Sequence, residues 1–326
     1  MTRRWLAVFG GALVLIALFP GDAYAWTPAT HIFLGESVLA NLAQLPEVVA
    51  ALLRAFPYDF LYGSIAADTS MAKKYAPVGR HCHSWHVGQE IYDQAETDAL
   101  KAFGLGYLAH LAADTVAHNY FVPRQLVVTS RTIAVGHSYW ESRFETQLGP
   151  QYAATAMDVI RLGHGAADAH LDQILAPTVF SVRTSRRLFR GMVGVTETQS
   201  WQRIVRMMDK KSRWDIAAIA MERYMGSAFQ YIMELLGTEE DPAPRRLDPS
   251  GESSLRLAKR MRLDVVKRMV SPPVTELTQM ADEHFAVPDT PVPYWRSSQA
   301  HWPWKGNGTG NRKKSSRKRK KDTTPD

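Results

Sequence analysis

The chain has 326 residues, with 39 Lys/Arg against 32 Asp/Glu, a formal net charge of +7, 45% apolar residues and one cysteine. A lone cysteine excludes an internal disulfide, so an exported chain of this composition is held by packing, by metal or by both. The charge is local: from Lys305 onward there are nine Lys/Arg and two Asp, and the remainder carries 30 of each sign, which argues against a basic field on the folded body of the kind that binds nucleic acid.

Residues 1–25 read as a secretory signal peptide. Arg3 and Arg4 open it, Trp5 to Phe19 form an apolar run, and Ala23-Tyr24-Ala25 is a small-x-small cleavage site. Cleavage there would make Trp26 the new N-terminus and send the chain to a periplasm or out of the cell. From Trp26 to residue 287 the pattern predicts one all-α, multi-helix domain. Ile32, Leu34, Val38, Leu39 and Leu42 recur at helical spacing, and a second apolar run goes from Pro46 to Phe56. Tyr58 to Gly88, with Gly63, Pro77, Gly79 and several histidines, reads as a long structured loop. Helices are expected over Gln89–Phe103 and Leu105–Phe121, the second bracketed by Gly104, Gly106 and Pro123. Others follow near Val135–Leu148, Tyr152–Leu162, Ala166–Leu175, Val179–Met192, Thr198–Leu236 and Ser253–Met269. Gln125 to Thr129 is the one modest strand candidate. Residues 288–304 form a Pro/Trp-rich wrap, and residues 305–326 a basic tail expected to be disordered.

The chemistry concentrates in the middle of this pattern. In Gly-Tyr-Leu-Ala-His110-Leu-Ala-Ala-Asp114-Thr-Val-Ala-His118, three potential ligands lie four residues apart. On a helix each such step advances about 40° around and about 6 Å along, so the three project in one row. Leu111, Ala112, Ala113, Val116 and Ala117 between them are small or apolar, as a buried helix requires. Two imidazoles and a carboxylate suit zinc, and a row about 12 Å long suits several ions better than one. His137 and Glu141 make a second pair one turn apart. Asp68, the run His81-Cys82-His83-Ser84-Trp85-His86, and His31 complete the set. An isolated His-x-x-x-Asp pair is more often a surface ion pair or a hydrogen-bonded core pair than a ligand pair. Several such pairs on apolar faces are another matter, because a buried charged row without counter-ions is costly.

These residues resemble the zinc-dependent phospholipase C superfamily, which also includes single-strand nucleases. The shared order is a Trp exposed by signal cleavage, an early His, an Asp, a His, then His-x-x-x-Asp, a further His and His-x-x-x-Glu. It runs here from Trp26 to Glu141. The resemblance implies a trinuclear zinc site. One ion would be held by Asp68, His83, His110 and Asp114, and a second by His118, His137 and Glu141. A third would be held by the amine and carbonyl of Trp26 with His31, Asp114 bridging to it. His83 is preferred over His81 and His86 because His-x-Trp resembles the family's His followed by aromatics, and Asp68 over Asp59 because of the segment before it. Asp68 would double as general base. The gap from Asp114 to His118 is two residues shorter than is usual in the family and fits one continuous helix.

The activity so implied is a zinc-dependent phosphodiester hydrolase, a phospholipase C on glycerophospholipids. A single-strand nuclease or 3′-nucleotidase, with Trp85, Tyr139 or Trp140 stacking on a base, is the alternative within the superfamily. A non-catalytic interaction protein stabilised by zinc is the alternative outside it. The expected partners are a phospholipid or other phosphodiester and, through the basic tail, an anionic membrane surface; the neutral body makes nucleic acid the lesser expectation. His164, Asp168 and His170 read as a weak candidate for an additional site.

Overall fold

The computed structural model describes residues 26–129, 133–149, 151–196, 198, 216, 218–237, 241–269 and 272–288, and in these the side chains other than those of residues 74, 133–138, 142, 146, 196 and 218. The expected signal peptide, most of the Pro/Trp-rich wrap and the basic tail lie outside the described residues, within which there is no strand. Among them no single helix is long and apolar enough to cross a membrane.

In chain order the helices are α1 (Pro28–Ala40), α2 (Glu47–Ala55), α3 (Pro57–Ala66), α4 (Trp85–Asp93), α5 (Asp98–Val116), α6 (Val122–Thr129), α7 (Ile133–Leu148), α8 (Gln151–Arg161), α9 (Gly165–Ile174), α10 (Val182–Thr196), α11 (Ala218–Gly237), α12 (Glu252–Arg268) and α13 (Val274–Phe285). Short 3₁₀ turns at Ala67–Thr69 and Lys73–Tyr75 follow α3, and a π-helical turn, Ala117–Phe121, joins α5 to α6. Local chemistry sets the starts that matter. Thr27 caps α1, its hydroxyl accepting from the Thr30 amide, with Pro28 in the first turn. Thr97 does the same for α5 through the Leu100 amide.

Helix α5 is the axis of the molecule. Every residue from Ala102 to Val116 is buried, because α3, α4 and α11 pack around it. A helix buried on every side over this length is a core helix. Its contact with α3 is closer than side chains allow. A Cβ on Gly63 would stand 2.0 Å from the Phe103 carbonyl oxygen, and one on Gly106 would stand 2.1 Å from the Phe60 carbonyl oxygen. The two backbones touch at this crossing, and the turn carrying Asp68 follows directly.

Several expected elements are corrected. Tyr58 to Ala66 is helix α3 rather than the start of a loop: buried on most sides, it has no polar face and so no amphipathic period to read. The expected break at Gly104–Gly106 does not occur. α5 runs through both glycines, which serve close packing, Gly104 against Tyr92 and Gly106 against α3. The chain breaks instead between Asp93 and Asp98. Gln125–Thr129, the strand candidate, is the end of α6, where its apolar residues lie under α12 and α13. Helix α13 was not foreseen.

The crossing gives a direct test. Gly106→Val should destabilise by about 3 kcal/mol or more, since overpacking against backbone has no side chain to yield. Gly163→Ala, where a Cβ meets nothing within 4 Å, should change stability by less than about 0.5 kcal/mol. Equal thermal midpoints for the two variants would disprove the backbone contact.

Candidate metal centre

The crossing of α3 over α5 brings residues from four segments together. Asp68 is on the 3₁₀ turn after α3, His83 in the turn before α4, His110 and Asp114 on α5, and His31 on α1. His110 Nε2 lies 3.1 Å from Asp114 Oδ2, 3.1 Å from His83 Nε2 and 3.9 Å from Asp68 Oδ1. His83 Nε2 is 3.0 Å from Asp114 Oδ2 and 3.5 Å from Asp68 Oδ1. His31 Nε2 is 3.3 Å from Asp114 Oδ1, and its ring stacks on that of His110 with centroids 3.8 Å apart. Both carboxylates have no exposed surface.

The rings are aimed by what their outer nitrogens touch. His110 Nδ1 lies 2.9 Å from the Ser64 carbonyl and donates to it, which turns the Nε2 lone pair inward. His118 Nδ1 donates in the same way to the Pro249 carbonyl at 2.5 Å. His83 Nδ1 meets the Cys82 sulfur at 3.2 Å. His118 sits on the π turn rather than on a continuous α-helix. Such turns recur at functional sites. Its ring centroid is 6.4 Å from that of His83. The turn Asp248–Gly251 locks it there. Asn119 donates to the Asp248 carbonyl at 2.8 Å, and Gly251, at φ +57°, lies so close that a Cβ would be 2.4 Å from His118.

Trp26 is buried beside the centre. Its indole donates to the Ala113 carbonyl at 3.2 Å, next to Asp114, stacks on Phe121 and meets Phe144 at a tilt. Glu141 is buried on α7, close enough for Asp68 and Asp114 to act on its charge. His137 is one turn earlier on the same helix; its side chain lies outside the described residues. Among the loop histidines, His83 is the one at the centre. His81, half-buried, accepts from the His83 amide, and His86 is exposed and bonded to the Gly79 carbonyl. Asp59 lies apart, beside His164.

Of the residues at the centre, Cys82 enters the sequence reading only within the histidine run, and Lys73 does not enter it. Cys82 backs His83. Lys73 is buried, its ammonium 2.8 Å from Asp68 Oδ1 and 3.3 Å from His83 Nε2. A lysine five residues after an aspartate in a glycine-poor turn carries no signal of this. The additional site at residues 164–170 dissolves into structural bonds: His164 and His170 bond the Val159 and Ile91 carbonyls, and Asp168 pairs with Arg186 and Arg190.

The donors fit a divalent metal. Asp68 Oδ2, both Asp114 oxygens and His31 Nε2 are buried without a hydrogen bond. The imidazole nitrogens of His83 and His110 face each other at hydrogen-bond distance. His31, Asp68 and His110 form one group of ligand atoms lying within 4.8 Å of one another, and His83, His110 and Asp114 another. Imidazole nitrogen with carboxylate oxygen is a zinc donor set. A family model for zinc-dependent phospholipase C matches residues 30–210. The chain belongs to the zinc-dependent phospholipase C family. No curated protein and no solved structure matches it. The matched stretch includes every side chain of the centre except Trp26, and membership of a zinc-dependent family agrees with these His/Asp groups in supporting zinc binding.

Electrostatics show what a metal-free member of the family has to tolerate. Burial pushes the Asp114 carboxyl up, but His110, then His31 and His83, outweigh it and hold it well below the usual range. Asp68 is likewise lowered, burial being outweighed by Lys73, then His110 and His83. Glu141 goes the other way: burial, then the Asp68 and Asp114 charges, raise it well above the usual glutamate range. A carboxyl raised on folding keeps a proton that the unfolded chain releases. Its contribution to metal-free stability therefore falls as pH rises from the ordinary glutamate value toward the folded one. In EDTA, Glu141→Gln should raise the thermal midpoint at pH 8 by about 2–4 °C or more, and the gain should vanish near pH 4. A gain of equal size at both pH values would assign it to packing instead.

Proposed function

We propose that the protein is a phosphodiester hydrolase that cleaves glycerophospholipids as a phospholipase C, using three zinc ions. The observation that carries this reading is the convergence of His31, Asp68, His83, His110 and Asp114 in one buried cluster with carboxylate oxygens left without hydrogen bonds. One ion would be held by Asp68, His83, His110 and Asp114. His118, His137 and Glu141 would hold the second. The third would take the Trp26 amine and carbonyl with His31, sharing Asp114. That last set requires export and removal of the leader, which frees the amine of Trp26; an α-amine with a pKa of about 8 gives up its proton readily to a metal.

When bound, such ions polarise phosphoryl oxygens and make water a nucleophile near neutral pH. The protein's own residues do the rest. Asp68 Oδ2 carries no hydrogen bond, so it can accept a proton from the attacking water and align it. The water oxygen bonds to phosphorus as the bond from phosphorus to the glycerol oxygen breaks, and the proton accepted by Asp68 passes to the leaving glycerol oxygen, giving diacylglycerol and a phosphorylated head group. Three carboxylates against three dications leave a positive pocket, which favours an anionic phosphodiester over a neutral ester.

The lipid is favoured over a nucleotide by the engagement of the aromatics. Trp140 is in the core with its indole on Thr129, and Trp85 donates to the Leu247 carbonyl beneath the Arg245 guanidinium. The buried Trp140 ring has no face to offer a base, and Arg245 covers one face of Trp85. The basic tail would hold the enzyme at an anionic lipid surface.

The test is the protein beginning at Trp26, loaded with zinc and given phosphatidylcholine, phosphatidylethanolamine and single-stranded DNA. Metal analysis should find close to three zinc ions, and the lipids should be cleaved. Asp114→Asn should lose two ions and at least about 100-fold in kcat/KM, while His86→Ala should keep both. Cleavage of DNA alone would establish the nuclease, and full zinc with no hydrolysis of any substrate would make the metals structural.

A further inference from the structure

Lys73 stands where the proposed site needs a dication. Its ammonium is buried, with the side chain 7% exposed, and it contacts the same two atoms, Asp68 Oδ1 and His83 Nε2, that face His110 and Asp114. A metal on His83 Nε2 needs the lone pair of that atom, and the Lys73 ammonium already stands 3.3 Å from it. An ion bonded to both atoms at zinc–ligand lengths of about 2 Å would lie within about 5 Å of Nζ, two like charges in a water-excluded space. The backbone delivers the lysine deliberately. Ala72 adopts a left-handed conformation, φ 58°, to start the 3₁₀ turn Lys73–Tyr75, and Thr178 donates to the Met71 carbonyl to pin the segment from the far side.

We propose that Lys73 is an exchangeable internal counter-cation. In the metal-free protein it occupies the Asp68–His83 position and neutralises the buried aspartate. Zinc has to displace it, so this position is the last and weakest to load. The inference rests on the metal centre proposed above but not on its substrate. It makes Lys73 a positioning residue that sets metal occupancy, with a flexible stem that allows the ammonium to withdraw.

The experiment follows zinc uptake by wild type, Lys73→Met and Lys73→Arg in competition with a chromophoric chelator, together with thermal unfolding in EDTA and in zinc. Wild type should show one site weaker than the rest. Lys73→Met should tighten that site at least tenfold and lower the midpoint in EDTA by several degrees, with the loss recovered in zinc. Lys73→Arg should resemble wild type in EDTA. Should Lys73→Met fold in neither condition, Lys73→Gln, uncharged but still a donor, carries the same measurements. Zinc-binding wild type matched by the uncharged variants in both affinity and midpoint overturns the exchange alone. Wild type that takes up no zinc overturns the metal centre, and the exchange with it.

Discussion

Two carboxylates, Asp68 and Asp114, are charged with no exposed surface, and much of the fold is arranged to make that tolerable. Leaving a buried charge without its partner costs about 3–5 kcal/mol. Here the compensation comes from imidazoles on three separate segments and from one ammonium. His110 and Lys73 lie four and five residues from the carboxylates they meet, and the other two imidazoles come from distant segments. His31 is 83 positions from Asp114 and His83 is 31, so the charges are matched only when the tertiary structure is complete. Site and fold therefore form together.

The packing serves that requirement. Contact of α3 with α5 through Gly63 and Gly106 sets the height at which Asp68 meets His110, with the Ser64 carbonyl on the same helix holding the ring in its tautomer. Trp26 fixes the Ala113 carbonyl beside Asp114. The turn ending at Gly251 holds His118 from a segment more than 130 residues away. These supports are backbone contacts, glycines and an indole. They resist displacement because there is no flexible side chain between the support and the ligand.

The sequence was informative where chemistry repeats at helical spacing and silent where it does not. His110 and Asp114 were legible because a step of four on an apolar helix puts two ligand types on one face. The order from Trp26 to Glu141 was legible as a resemblance, and it named the family. Helix α3 shows no amphipathic periodicity because it is buried on most sides, and Gly104 and Gly106 mark close approach rather than a break. The π turn left no mark, since Ala117–Phe121 holds no proline or glycine to interrupt a helical reading. Lys73 and the Pro249–Gly251 clamp depend on chain reversals that no local pattern encodes.

The molecule contains its own control for what a structural charge network looks like. Asp168, on α9, accepts from the Tyr62 hydroxyl at 2.6 Å and from Arg190 at 2.8 Å, with Arg186 at 3.3 Å, so both of its oxygens are bonded to donors that stay charged or neutral at any ordinary pH. Asp114, 54 residues earlier, is surrounded by nitrogens of which two have committed a proton or a ring face elsewhere, and neither of its oxygens makes a hydrogen bond. Nearby Glu141 is driven toward its neutral form while Asp68 is held charged. Natural sequences settle such conflicts in structural networks, as at Asp168, and leave them open where function requires it. The unbonded oxygens of Asp68 and Asp114 beside imidazole nitrogens are a conflict of the kind a divalent cation would resolve.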